Sequence, residues 1–284
     1  MKILNLLILF LSFSCTVDVS DIVFKESEKR IIIDAVFTDD IKFNYVSVSY
    51  SSHFDKKIII ENEDNAKITV VDMETNIADT LKNISNGQYA FSNQFIALEN
   101  HRYKLKVQIN NSVYESIASC PQKIDNEIKD FRSKFQEKAQ NFKNYGQYNF
   151  GDKKHIFLGD SVFIVKANAY FNGNQESYFR GELYRNSDKY INPNIFFIFS
   201  GLLFKNEINE IEMPGSFKSK DILNMYIFQT NKTTFKFYEN LRLLSNYEGG
   251  FYSPPPGNPN SNISNNSLGL FEISLVKKFA FEVK

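Results

Sequence analysis

From Arg102 to Ile109 the chain alternates strictly, with Tyr103, Leu105, Val107 and Ile109 on one side and Arg102, Lys104, Lys106 and Gln108 on the other. A period of two marks a strand with one face in a core and the other in water. "RIIIDAVF", "NYVSVSY" and "AKITVV" read as further strands. They are separated by the polar turns "TDD" and "ENEDN" and by the turn-forming "SNGQ" at Ser85 to Gln88. Short strands at this spacing predict an Ig-like or transthyretin-like β-sandwich over residues 23–120.

The pattern then changes. Ile124, Ile128, Phe131, Phe135, Ala139 and Phe142 recur at intervals of three and four, which predicts a helix over about 124–143 with a polar face of mixed sign. Beyond it "VFIVKANAYF", "IFFIF", "NMYIF" and "FEISLVKKFAFEV" read as strands of a second, β-rich domain over residues 121–284. A second helix is expected over "TTFKFYENLRLLSN", with Thr233 as its cap. The fold expected is mainly β, with one or two helices.

The N-terminus carries a different signal. In "MKILNLLILFLSFSC" a single Lys2 precedes an apolar run from Ile3 to Phe13 that is too short to span a bilayer as a helix. Residues 1–14 therefore read as a secretory signal peptide. Ser12-Phe13-Ser14 fits a small-x-small cleavage site, and Cys15 follows at once, as in a lipoprotein signal. Cys15 is then the lipidation site and residues 15–22 a lipidated tether, since several acyl chains such as palmitate give the lasting anchorage that one chain does not. Asp18 and Asp21 resemble the acidic surface-export signal of Bacteroidota lipoproteins.

Composition removes some partners. Lys plus Arg and Asp plus Glu both total 33, so the chain lacks the basic excess that nucleic acid selects, and no nucleic-acid partner is expected. With Cys15 acylated, Cys120 has no disulfide partner, and its position at the end of "SVYESIASC" fits a small core residue better than a nucleophile. His53, His101 and His155 match no compact metal spacing. "ENED" at Glu61 to Asp64 lacks the Gly and distal Glu of a calcium loop and reads as a turn. No nucleophile elbow or phosphate loop is present, so neither catalytic residues, nor a metal, nor a cofactor is expected.

The segment before the C-terminus, "FYSPPPGNPNSNISNNSLGLFEIS", carries a resemblance. An aromatic, Ser and prolines, then "SNISN", then "SLGLFEIS" resemble the closing pattern of the Bacteroidota lipoprotein family DUF4249. "RIIIDAVFTDD", "ESYFRGELYRN" and "TFKFYENL" echo the family more weakly. The resemblance implies a lipid-anchored outer-membrane lipoprotein of two β-rich parts working beside a TonB-dependent transporter, and Asp18 and Asp21 add the expectation of surface exposure; the resemblance supplies no catalytic residue.

Two readings of the proline segment stay open. In one it closes the fold, delivering Leu268 to Val276 into a sheet with Leu270, Phe271 or Ile273 buried. In the other it faces a partner through Tyr252, Pro254, Pro255, Pro256, Gly257 and Asn258. For function, the expectation is a non-enzymatic binding accessory of the outer membrane, held to the lipid by Cys15. A hydrolase of glycans or peptides and a structural envelope or adhesion protein are the alternatives.

Overall fold

A computed structural model describes residues 29–52, 60–92, 94–136, 162–171, 176–189, 197–204, 207–213, 217–245, 247 and 257–284. Residues 1–28, with Cys15 and the expected signal segment among them, and part of the proline loop lie outside these residues. As expected, the described chain is mainly β.

In the N-terminal part the strands are β1 (Ile31–Thr38), β2 (Tyr45–Tyr50), β3 (Glu61–Asn62), β4 (Lys67–Asp72), β5 (Ala78–Thr80), β6 (Lys82–Ser85), β7 (Gln88–Ala90), β8 (Arg102–Ile109) and β9 (Ser112–Ser119). In the C-terminal part they are β10 (Asn126–Gln136), β11 (Val162–Phe171), β12 (Tyr178–Arg185), β13 (Asp188–Lys189), β14 (Phe197–Ser200), β15 (Ile208–Glu212) and β16 (Ile222–Thr230), followed by helix α1 (Lys232–Ser245) and β17 (Leu268–Glu282).

One ten-stranded sheet forms the centre, in the order β13-β12-β16-β17-β1-β2-β7-β6, with β14 also paired to β12 and β3 to β2. It therefore crosses the boundary expected near residue 120. The crossing is made by β17, which runs parallel to β1 from Ile32↔Leu268 to Thr38↔Ser274 and antiparallel to β16 from Gln229↔Leu275 to Ile222↔Glu282.

On one face this sheet is covered twice. The four-stranded sheet β5-β4-β8-β9 shares a core with its N-terminal half, where Ile33, Phe37, Val46 and Val48 meet Ile68, Val70, Leu105 and Val107. The sheet β10-β11-β15 shares a second core with the other half, where Val165, Ala167 and Phe171 meet Phe179, Leu183, Met225 and Ile227. Strand β17 serves both, sending Phe271, Ile273 and Leu275 to the first core and Phe279 and Phe281 to the rim of the second. Residues two apart in a strand share a face, so β17 welds the two layers with one continuous side. Helix α1 lies on the opposite face, against β12, β14 and β17.

Two local expectations are corrected. Asn126–Gln136 is a strand rather than part of a helix; residues 137–143 of that expected helix lie outside the described set. Its three-and-four spacing has a different cause. A bulge between Lys129 and Arg132, with Asp130 at φ 53°, shifts the register. Ile128 and Phe131 consequently reach the same core although three residues apart, and Phe135, four further on, meets Phe163. An extra residue in a strand imitates the helical interval. The helix over 232–245 forms as expected, but its cap is Asn231, whose Oδ1 accepts from the Thr234 N–H at 2.9 Å.

Candidate functional site

Between the two covering sheets the central sheet is left partly bare, and a cleft of about 520 Å³ opens there. Its floor comes from Gln229 of β16 and Leu275 of β17; Asp39, Glu99, Lys123, Asp125, Asn126 and Lys277 line its walls. The link from Cys120 to Asp125, which joins β9 to β10, is fixed across this gap. Gln229 Nε2 donates to the Gln122 carbonyl and its Oε1 accepts from the Ile124 N–H at 3.1 Å, so the side-chain amide acts as a strand neighbour. The Lys123 N–H donates to Glu99 Oε1 at 2.8 Å from the other side. Asp39 extends the parallel ladder by one rung, its Oδ1 accepting from the Val276 N–H at 2.7 Å. Burial raises the Asp39 pKa, and the bond from Val276 and the charge of Lys123 only partly offset that.

Cys120 sits beside this cleft and is fully buried. Burial, with the carboxylates of Asp39 and Glu99 adding to it, pushes its thiol up to about 12. A thiol held protonated at neutral pH is a core residue, not a nucleophile.

The opposite face of the central sheet holds a buried polar layer under α1. Arg180 Nε lies 2.8 and 3.1 Å from the two carboxylate oxygens of Glu272, and its Nη1 donates to Glu182 at 2.8 Å. The side chains of Arg180 and Glu272 are 4% and 0% exposed. The guanidinium lies 3.6 Å from the Phe228 ring centroid. Burial lowers its pKa, and Glu272, then Tyr238 and Glu182, outweigh that and raise it above the ordinary arginine value. Tyr238 of α1 donates its hydroxyl to Glu272 at 2.6 Å, Ser274 donates to the same carboxylate, and Lys189 pairs with Glu182 at 2.9 Å. In the same layer Tyr45 donates to Asp34 at 2.9 Å, and the Asp34 pKa is raised, first by burial and further by Glu272. These groups are spent on one another, and the layer attaches the helix to the sheet.

A third cluster joins Asp72, Glu74 and His101, whose ligand atoms all lie within 4.8 Å of one another. Each is committed. Asp72 Oδ1 accepts from the Glu74 and Thr75 N–H groups of a turn, its Oδ2 meets His101 Nδ1 at 2.8 Å, and Glu74 takes both the Arg102 N–H and its Nε. These bonds make the cluster the cap of the turn after β4. The "ENED" segment is used likewise: Asp64 Oδ1 accepts from the Gly87 N–H and Glu63 from the Tyr50 hydroxyl.

Among the residues expected from sequence, Cys15, Tyr252, Pro254, Pro255 and Pro256, along with His53 and His155, lie outside the described set. Gly257 and Asn258 are exposed, whereas the stretch from Asn262 to Asn266 is docked. Asn262 exchanges two hydrogen bonds with the Phe271 backbone at 2.8 Å, imitating a strand partner, and Ile263 enters the first core. Ser264 and Asn262 bond to Glu115 and Ser116 of β9, and Arg30 binds Asn266. Leu270, Phe271 and Ile273 are all buried, as the closing reading expects. Gly269 has φ +96°, and a Cβ there would lie 2.0 Å from the Ile33 carbonyl oxygen, so the parallel pair forms only with glycine at that place.

The cleft residues Asp39, Asn126 and Gln229 were not legible as a site. The one hint is Gln229, an amide closing the apolar run Met225 to Phe228.

Among the described residues no helix is long and apolar enough to cross a membrane. No curated protein and no solved structure matches the chain. The closing loop, with its Asn262 clasp, its Ile263 plug and the glycine under Ile33, gives a physical role to the very residues that suggested a relationship, and the match to a family model over residues 17–280 confirms it: the chain belongs to DUF4249, a domain of unknown function.

Proposed function

We propose that this protein is a non-enzymatic lipoprotein of the Bacteroidota outer membrane, held to the lipid through acylated Cys15, that binds a ligand or partner as the accessory of a TonB-dependent transporter. The observation that carries the binding role is the open cleft over the central sheet, lined by Asp39, Glu99, Lys123, Asp125 and Lys277. The strongly buried charges of the polar layer pair with one another, whereas among the described residues none of these carboxylates is in an ion pair and all five groups are open to solvent at the cleft. A concavity with a few convergent polar groups is where small ligands are held. The anchoring role is supported by the sequence before the family domain: the match begins at residue 17, just beyond the apolar run and Cys15. The Ig-like or transthyretin-like character of the N-terminal part belongs to this same reading.

Palmitate labelling tests the anchor. Wild-type cells should yield a labelled protein and Cys15→Ala cells none, with the labelled form degraded by protease added to intact cells. An unlabelled wild type ends the lipoprotein reading. Affinity purification from solubilised membranes should recover a β-barrel transporter; repeated purification without one ends the accessory role.

A further inference from the structure

We infer that the cleft between the two covering sheets binds a primary ammonium group on a molecule that also carries a hydrogen-bond acceptor, as at the free amino terminus of a short peptide. The inference rests on the binding-protein reading above and deepens it.

Three carboxylates, Asp39, Glu99 and Asp125, line the cleft against two amines, Lys123 and Lys277. Lys277 is already occupied, donating to the Asn126 carbonyl. Among the described residues none of the three carboxylates is in an ion pair. Asp39 and Glu99 each accept one backbone N–H, which leaves each a further oxygen. Asp39 is half-buried with no cation in contact; burial raises its pKa, and Lys123, near but not paired with it, only partly offsets that.

An independent observation comes from Asn126, at the start of β10. It lines the cleft, is 7% exposed, and its buried Oδ1 has no hydrogen-bond partner. A buried acceptor without a donor is costly, and one such group in a cleft whose carboxylates have no ion-pair partner calls for donors. An ammonium brings three donors and a positive charge in a compact head. The amines on the rim oppose a ligand that is positive at every end, such as a polyamine, and favour one whose remainder accepts hydrogen bonds. The volume of about 520 Å³ lies within the range of small-ligand sites.

Isothermal titration of the detergent-solubilised full chain at pH 7.5 and low salt, with trialanine, N-acetyl-trialanine and trialanine amide, tests this. Trialanine should bind. Acetylation, which removes the ammonium, should weaken binding about tenfold or more, and amidation of the far end should weaken it less. Asp39→Asn keeps the acceptor for Val276 and removes the charge, so it should lose affinity by a similar factor. Asp125→Asn, at an exposed position with no structural bond, should also lose affinity and guards against a folding artefact. Equal binding of the acetylated peptide, unchanged affinity in both variants, or no heat with trialanine at about 10 mM overturns the inference. Transporter recovery is measured separately, so a failed titration with a transporter in hand refutes the ligand and not the accessory role.

Discussion

Replacing Arg180 by Met keeps most of the side chain's apolar length and removes its charge. Glu182 retains Lys189 at 2.9 Å and the Tyr184 hydroxyl at 3.1 Å, so it stays compensated. Glu272 does not. It is 0% exposed and would keep only the hydroxyls of Tyr238 and Ser274. Removing one partner of a buried, hydrogen-bonded ion pair costs about 3–5 kcal/mol, because the other charge is left in low dielectric. The stacking of the guanidinium on Phe228 goes as well. At roughly 2–4 °C per kcal/mol for a chain near this size, the melting temperature should fall by roughly 6–20 °C. Adding Glu272→Leu to Arg180→Met should recover most of that loss, since an apolar pair of similar volume is often as stable as the ions it replaces. Differential scanning calorimetry on the wild type, both single variants and the double variant closes the cycle. A loss below about 1 kcal/mol for Arg180→Met, or two single losses that simply add, would show that the layer is solvated and the reasoning wrong.

Other outcomes rest on the same geometry. Gly269→Ala places a Cβ 2.0 Å from the Ile33 carbonyl at φ +96°, and should cost about 3 kcal/mol or more in denaturant unfolding; a loss under about 1 kcal/mol refutes the parallel β1·β17 register. Asp34→Asn keeps the acceptor for Tyr45. Because the folded pKa of Asp34 is raised above 3.8, its ionisation opposes folding increasingly as pH rises past that value. The variant should therefore be more stable than the parent at pH 7.5, with the difference vanishing in acid; a pH-independent difference sinks the assignment. In a Cys15→Ser background Cys120 should resist alkylation until the protein unfolds, and rapid modification of native protein would contradict its burial.

Strand periodicity depends on neighbours a few residues away, and it was legible wherever one face is wet. Strand β8 alternates as its sequence does, and Asn86-Gly87 makes the tight turn that "SNGQ" announces, with φ of 50° and 69°. The helix over 232–245 and the buried closing strand were equally local. The family, too, was written in the residues of the closing loop.

What the sequence could not determine depends on pairs far apart in it. Nothing local marks the charged Arg180, Glu182, Asp34 and Glu272 as covered; α1 and neighbouring strands cover them, and Arg180 finds Glu272 across 92 residues. The bulge at Asp130 turned a strand into an apparent helix, because a period of two with one residue inserted yields intervals of three and four. One sheet crosses the boundary expected near residue 120 because β17 pairs in parallel with β1, a pairing that the Gly269 contact permits but no local pattern predicts. The cleft exists only because two separate sheets cover that one sheet and leave a gap. Its lining comes from five separated stretches of chain, so only the tertiary structure brings Asp39, Asn126 and Gln229 together.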